Sequence, residues 1–177
     1  MGKREYRFRD LGGYTLSDMS TPPKANPAIY PAMRRNALEM KVPETPGVRL
    51  LLMDWIVANG TATVLASADG TASVYLSSGG GFIGGGQRYP QIGEAARRAV
   101  GLANEALPLA AKTATFDLPK GGDVYFYLKT SEAVYLAIAR EAKLRDGSDP
   151  LARLGGMMQA IVTGYRLSQP KSTPPAQ

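Results

Sequence analysis

Ten residues, VRLLLMDWIV from Val48 to Val57, most constrain what this chain can become. In an extended run, hydrophobic side chains would fill both faces, so the strand must lie inside a sheet covered on each side. Two more β-prone runs follow at once, TATVLASA (61–68) and TASVYLSS (71–78), separated at Asn59-Gly60 and Asp69-Gly70. Both dipeptides signal hairpins, because the two central residues of a type I′ turn take positive φ. The first half of the domain is therefore expected to be an antiparallel meander with its first strand central. In the third run Ala72, Val74 and Leu76 share one face, and Ser73, Tyr75 and Ser77 the other.

A glycine-rich stretch comes next, followed by PQIGEAARRAVGLANEAL. Ile92, Ala96, Ala99, Val100, Ala103 and Leu107 recur there at helical spacing, with Glu94, Arg97, Arg98 and Glu105 on the outer face. Pro90 suits the first turn, where its missing N–H costs nothing. TATFDL, DVYFYLKT and AVYLAIAR then predict three more strands, with turns at PKGG and SE. A last helix is expected from Asp149 as N-cap and Pro150 as first residue, with Leu151, Leu154, Met158, Ile161 and Tyr165 along one stripe.

The order strand-strand-strand-helix-strand-strand-strand-helix predicts an α+β domain over residues 47–167, with a single antiparallel sheet of five to six strands and two main helices. In topology it resembles the profilin-like group that includes roadblock and longin domains. The resemblance spans residues 47–167 and implies a fold; no residue role travels with it.

Residues 1–46 are expected to form a Pro-rich, basic N-terminal arm. They carry eight basic and five acidic side chains, with Pro22, Pro23, Pro27, Pro31, Pro43 and Pro46 among them. TPPKANPAIYPAM should neither continue a helix nor enter a central strand, because proline lacks the amide donor and restricts its neighbour. Tyr6, Phe8, Leu11, Tyr14, Ile29, Tyr30 and Met33 nevertheless give the arm anchors that a plain linker lacks. It should therefore lie on a surface, its own domain's or a partner's. Residues 168–177, SQPKSTPPAQ, read as a short disordered tail.

The chain has no cysteine and no histidine. That removes thiolate nucleophiles, Cys-based zinc sites, the commonest general base and every triad built on it. No catalytic residue, cofactor or metal ligand set emerges, and the chain is not expected to be an enzyme. MGKREYRFRD has no apolar run of a signal peptide, and Tyr6 stands where a myristoylation signal needs Ser or Thr. VRLLLMDWIVA is broken by Arg49 and Asp54 and is too short for a bilayer. A cytoplasmic protein without membrane insertion is expected. The net charge of +6 is spread over both ends of the chain and not clustered, which argues against a nucleic-acid partner.

Candidate interaction sites remain. Gly79-x-Gly81-x-x-Gly84 fits a phosphate-binding pattern, but it follows a hairpin strand and GQRYP intervenes before the helix. Glycines for positive φ and close packing are the favoured reading, with Phe82 and Ile83 either folded onto the core or offered as a docking tip, and Arg88 facing an acidic partner. Asp54, inside the apolar run, is expected to accept hydrogen bonds from backbone or an arginine near the strand end. Tyr75, Tyr125, Tyr127 and Tyr135, with Lys129, are expected on the sheet face opposite Val124, Phe126 and Leu128, with the arm as its cover. Together with Tyr6, Phe8, Tyr14 and Tyr30 they suggest a non-catalytic interaction or scaffold module that meets another protein or itself. A small-ligand or nucleotide sensor using the Gly79–Gly86 loop is the alternative.

Overall fold

The structure is a computed structural model that describes residues 27–168. After a 3-10 turn at Pro27–Ile29 the chain forms helix α1 (Tyr30–Glu39). Strands β1 (Leu50–Val57), β2 (Gly60–Ser67), β3 (Ala72–Leu76) and β4 (Gly81–Phe82) follow, then helix α2 (Pro90–Ala106). β5 (Ala111–Thr113), β6 (Asp123–Lys129) and β7 (Val134–Arg140) complete the sheet, and helices α3 (Glu141–Asp146) and α4 (Ala152–Ser168) close the described chain. The seven strands form one antiparallel sheet in the order β4-β3-β2-β1-β6-β7-β5.

β1 is central, as its two apolar faces require. It pairs with β2 from Leu50↔Ser67 to Val57↔Gly60 and with β6 from Leu50↔Lys129 to Trp55↔Val124. Leu51, Met53 and Trp55 join a core beneath α2 and α4. Leu50 and Leu52 join a second core, with Tyr30, Leu38, Leu65, Tyr75 and Tyr127, beneath α1. The architecture is thus three layers: α2 and α4, the sheet, and α1.

The two long helices follow their stripes. α2 buries Ile92, Ala96, Ala99, Val100 and Ala103, and α4 buries Leu154, Met158, Ile161 and Tyr165. Leu107 instead enters a 3-10 turn with Pro108, whose ring ends the α-helix. At the start of α4 the Asp149 carboxylate accepts the Leu151 amide at 2.9 Å, although the helix itself begins at Ala152.

Several expectations are corrected. Among the described residues the sheet has seven strands, not five or six, because Gly81–Phe82 in the glycine stretch pairs with Val74 and Tyr75. There are four helices among the described residues, and one of them, α1, lies inside the segment expected to be an arm. Pro31 falls in its first turn, where it is tolerated, and no further proline occurs before Pro43. β5 stops at Thr113, so Thr115–Leu118 is not a strand. That segment crosses the sheet face instead, and Phe116 packs edge-on against Tyr127 at 6.1 Å. The first half is the meander expected, β1-β2-β3-β4, whereas among the later strands β6 joins β1 and β5 takes the edge beside β7.

Neither hairpin is type I′. Val57 pairs with Gly60 around Ala58-Asn59, and no described residue other than glycine has positive φ. At the second turn Gly70 takes φ 92° while the Asp69 carboxylate accepts the Thr71 amide at 2.7 Å.

Candidate interaction surface

The glycine stretch is a packed corner. Gly85 N–H donates to the Tyr165 hydroxyl at 2.8 Å, and that hydroxyl donates to the Ala72 carbonyl at 2.6 Å. The Phe82 ring stacks on Tyr165 with centroids 4.8 Å apart. Gly84 N–H reaches Ser73 Oγ at 3.2 Å, and Gly79 N–H the Leu76 carbonyl at 3.0 Å. At the start of α2 the Ile92 and Gly93 amides both turn back to the Tyr89 carbonyl. The Gly79, Gly84, Gly85, Ile92 and Gly93 amides, which a phosphate could have used, are therefore spent within the chain.

Close approach explains two of the glycines. A Cβ on Gly86 would overlap the Gly70 carbonyl, and one on Gly85 would overlap the Tyr165 ring. Burial pushes the Tyr165 hydroxyl up from its ordinary value, against the downward pull of the Gly85 amide. Phe82 is thus the folded-back plug, whereas Ile83 beside it is 72% exposed. Arg88 is exposed and lies over the Tyr89 ring, 5.5 Å from its centroid.

Beneath α1 lies a buried polar cluster. Asp54 sits in the middle of β1, not near its end, and is fully buried. Arg34 of α1 donates to Asp54 Oδ2 through Nε at 2.9 Å and Nη2 at 2.7 Å, and Thr63 Oγ1 donates to Oδ1. Tyr30 OH meets Thr63 Oγ1 at 2.8 Å. The remaining guanidinium donors reach the Phe116 carbonyl at 2.6 Å and the Asp117 carbonyl at 2.9 Å. Tyr127 OH also donates to the Asp117 carbonyl, at 2.6 Å, and its ring lies 5.1 Å from the Arg34 guanidinium carbon.

The electrostatics follow from burial. Desolvation raises the Asp54 carboxyl above its ordinary value, while the Arg34 charge and the Arg34 and Thr63 hydrogen bonds pull it down. Burial lowers Arg34, but Asp54 outweighs that and holds it above its usual value, so the guanidinium stays charged. Tyr30 and Tyr127 are each pushed up to about 12, mainly by burial. The cluster joins helix, sheet and the 114–118 segment. With its acceptors filled and Asp54 sealed from solvent, it has nothing to offer a substrate. No group of three or more Asp or Glu side chains able to hold a metal occurs among the described residues.

The sequence-predicted tyrosines separate. Tyr75 and Tyr127 are buried under α1 and Tyr125 is half-buried on that face, which the C-terminal part of the expected arm does cover. Tyr135 is on the other side, because it pairs with Leu128 and packs toward α2 and α4. Tyr30 belongs to α1 itself, and Tyr6, Phe8 and Tyr14 lie outside the described residues.

What remains open on the α1 face is a strip that joins Tyr125, a residue the sequence singled out, to Ile56 and Ile138, which it did not. Tyr125 stands directly across from Ile138, and Ile56 follows Asp54, the β1 partner of Tyr125, on the same face. Ile56 is 42% exposed and Ile138 53%. α1 leaves them uncovered because it runs diagonally away. Its first residue bonds Thr63 in the Asp54 row, whereas the Leu38 carbonyl near its end accepts from Lys129 in the Leu50 row. The sequence signal was Ile138 alternating with Leu136 and Val134 on one face of its strand.

No protein-family model matches the chain, and comparison with curated proteins and with solved structures finds no significant match. No helix among the described residues is long and apolar enough to cross a membrane.

Proposed function

We propose that this protein is a non-catalytic interaction or scaffold module of the cytoplasm, a subunit of a homo- or hetero-oligomeric assembly. The observation that carries the proposal is the Ile56–Tyr125–Ile138 strip, an apolar surface left between α1, Phe116 of the 114–118 segment and the Asp123–Arg140 ion pair on one sheet face. Its supports are indirect as well: the glycine corner and the Arg34–Asp54 cluster, the two places where chemistry would concentrate, are both consumed by folding. A likeness to the profilin-like, roadblock and longin group is part of the same proposal, resting on an antiparallel sheet packed by α2 and α4.

Light scattering after size exclusion, with affinity capture from the native cell, tests the reading on the wild type and on Ile138→Asp. The variant should fold as the wild type does, because Ile138 is half exposed, and should lose its self-association or its captured partner. An unchanged assembly in Ile138→Asp would remove the strip from the proposal.

A further inference from the structure

The strip has a candidate occupant in the chain itself. The described residues begin at Pro27, and 26 residues precede it. Among them Glu5-Tyr6-Arg7-Phe8-Arg9 alternates charge and aromatic, so that an extended backbone would carry Tyr6 and Phe8 on one side and three charges on the other. That is the pattern of a segment with one face to bury.

Position and reach both favour it. The chain enters α1 at the Asp54 row, through the Tyr30–Thr63 contact over β2, and the uncovered strip begins at that same row on β6 and β7. From β2 to β7 is three strand spacings, roughly 14 Å. The residues between Phe8 and Pro27 could span roughly 60 Å when extended, so no strain opposes the contact. Tethering supplies the rest, because a segment held this close acts at an effective concentration of order 1 mM, far above that of any free copy.

We propose that residues 5–9 fold back over the α1 face and lay Tyr6 and Phe8 on Ile56, Tyr125 and Ile138, so that the N-terminal segment and an external partner compete for one surface. The inference rests on the strip being the docking surface named under the proposed function.

The chain has no cysteine, which permits a clean test. Ile138→Cys and, separately, Ile56→Cys are made in the full-length protein, with and without Tyr6→Ser/Phe8→Ser, and the rate of reaction with a small disulfide reagent is followed. Loss of the two aromatics should speed the reaction at either position about tenfold, the protection expected of a millimolar tether on a contact of about 0.1 mM affinity. Ile83→Cys, at the glycine corner, should react at one rate in both backgrounds. Equal rates at positions 138 and 56 would overturn the inference. So would protection that grows as protein concentration rises from about 1 to about 100 μM, since that assigns the strip to a second copy. The outcome is separable from the functional reading. Unprotected cysteines with assembly still lost in Ile138→Asp would sink the inference alone, whereas protected cysteines with assembly unaffected would sink the function alone.

Discussion

Replacing Arg34 by Met should be among the most damaging single changes on the α1 side of the sheet. The substitution keeps much of the aliphatic stem but removes every donor that α1 aims at Asp54 and at the Phe116 and Asp117 carbonyls. Asp54, fully buried, loses its hydrogen bonds at 2.9 and 2.7 Å and its counter-charge, and the Phe116 and Asp117 carbonyls lose theirs at 2.6 and 2.9 Å. Breaking a buried pair from one side costs about 3–5 kcal/mol, because the remaining charge is stranded. The cost has a pH signature. Burial already holds the Asp54 carboxyl above its ordinary value, and deleting Arg34 removes its main opposing pull. In the variant the folded state therefore binds a proton that the unfolded chain releases, over the window between the unfolded carboxyl value of about 3.9 and the raised folded value. Within that window stability must rise as pH falls, by up to about 1.4 kcal/mol for each pH unit.

The assay is urea unfolding from pH 8 down to pH 5, followed by the fluorescence of Trp55, the single tryptophan, which is buried in the core under α2 and α4. Arg34→Met should lose about 3–5 kcal/mol at pH 8 and recover part of it on acidification, relative to wild type. Arg34→Met/Asp54→Leu should return to within about 1–2 kcal/mol of wild type, because no buried charge is left. A loss below about 1 kcal/mol at pH 8, or a loss that does not change with pH, would refute the account of the cluster as a charge held in place by α1.

Three other outcomes are expected. Gly86→Ala should destabilise by more than about 3 kcal/mol, since its Cβ meets the Gly70 carbonyl, while Gly84→Ala meets open space and should cost only about 1–2 kcal/mol for its φ of 67°; urea midpoints in the opposite order would contradict the packed corner. Tyr30 and Tyr127, raised to about 12, contribute stability that is complete below about pH 10 and is lost as pH rises toward about 12; Tyr30→Phe and Tyr127→Phe should each flatten that alkaline decline in thermal melts. Calorimetry with ATP, GTP and NAD should give no heat of binding tighter than about 1 mM, and a micromolar affinity abolished by Gly84→Ala/Gly85→Ala would restore the sensor reading.

The legible parts of this fold are those set by near neighbours along the chain. Period-two alternation marks β3, β6 and β7 within a residue or two, and the 3.6-residue stripes mark α2 and α4. β1 announces its central place because Leu50 through Trp55 offers neither face to water. α1 was obscured by proline density upstream and by a modest buried face, only Tyr30, Arg34, Ala37 and Leu38. Its stability comes from the sheet, and a helix held by tertiary contacts leaves a weak local pattern. The side of Tyr135 depends on the register Leu128↔Tyr135, which alternation within either strand cannot supply. The partner of Asp54 was foreseeable only as a class: a carboxylate amid Leu52, Met53 and Trp55 demands a cation or several donors. That the cation would be Arg34, twenty positions upstream on a helix, follows from topology.

The same distinction separates the two candidate surfaces. Gly79–Gly86 is conspicuous in the sequence because its glycines are adjacent, and it proves to be conspicuous for a local reason. β3, the start of α2 and Tyr165 of α4 converge there, so backbone must meet backbone and ring without a Cβ between them. Tyr125 stands out in the sequence only as one of several tyrosines and Ile56 and Ile138 not at all, and only the pairing β1-β6-β7 brings the three together. An apolar surface assembled this way carries no motif, since each residue also satisfies the ordinary alternation of its own strand. The α1 face makes the contrast physical: its buried half needed Arg34 and Thr63 to satisfy one carboxylate, while its open half is apolar at Ile56, Tyr125 and Ile138 and keeps its charges, the Asp123–Arg140 ion pair, at the rim.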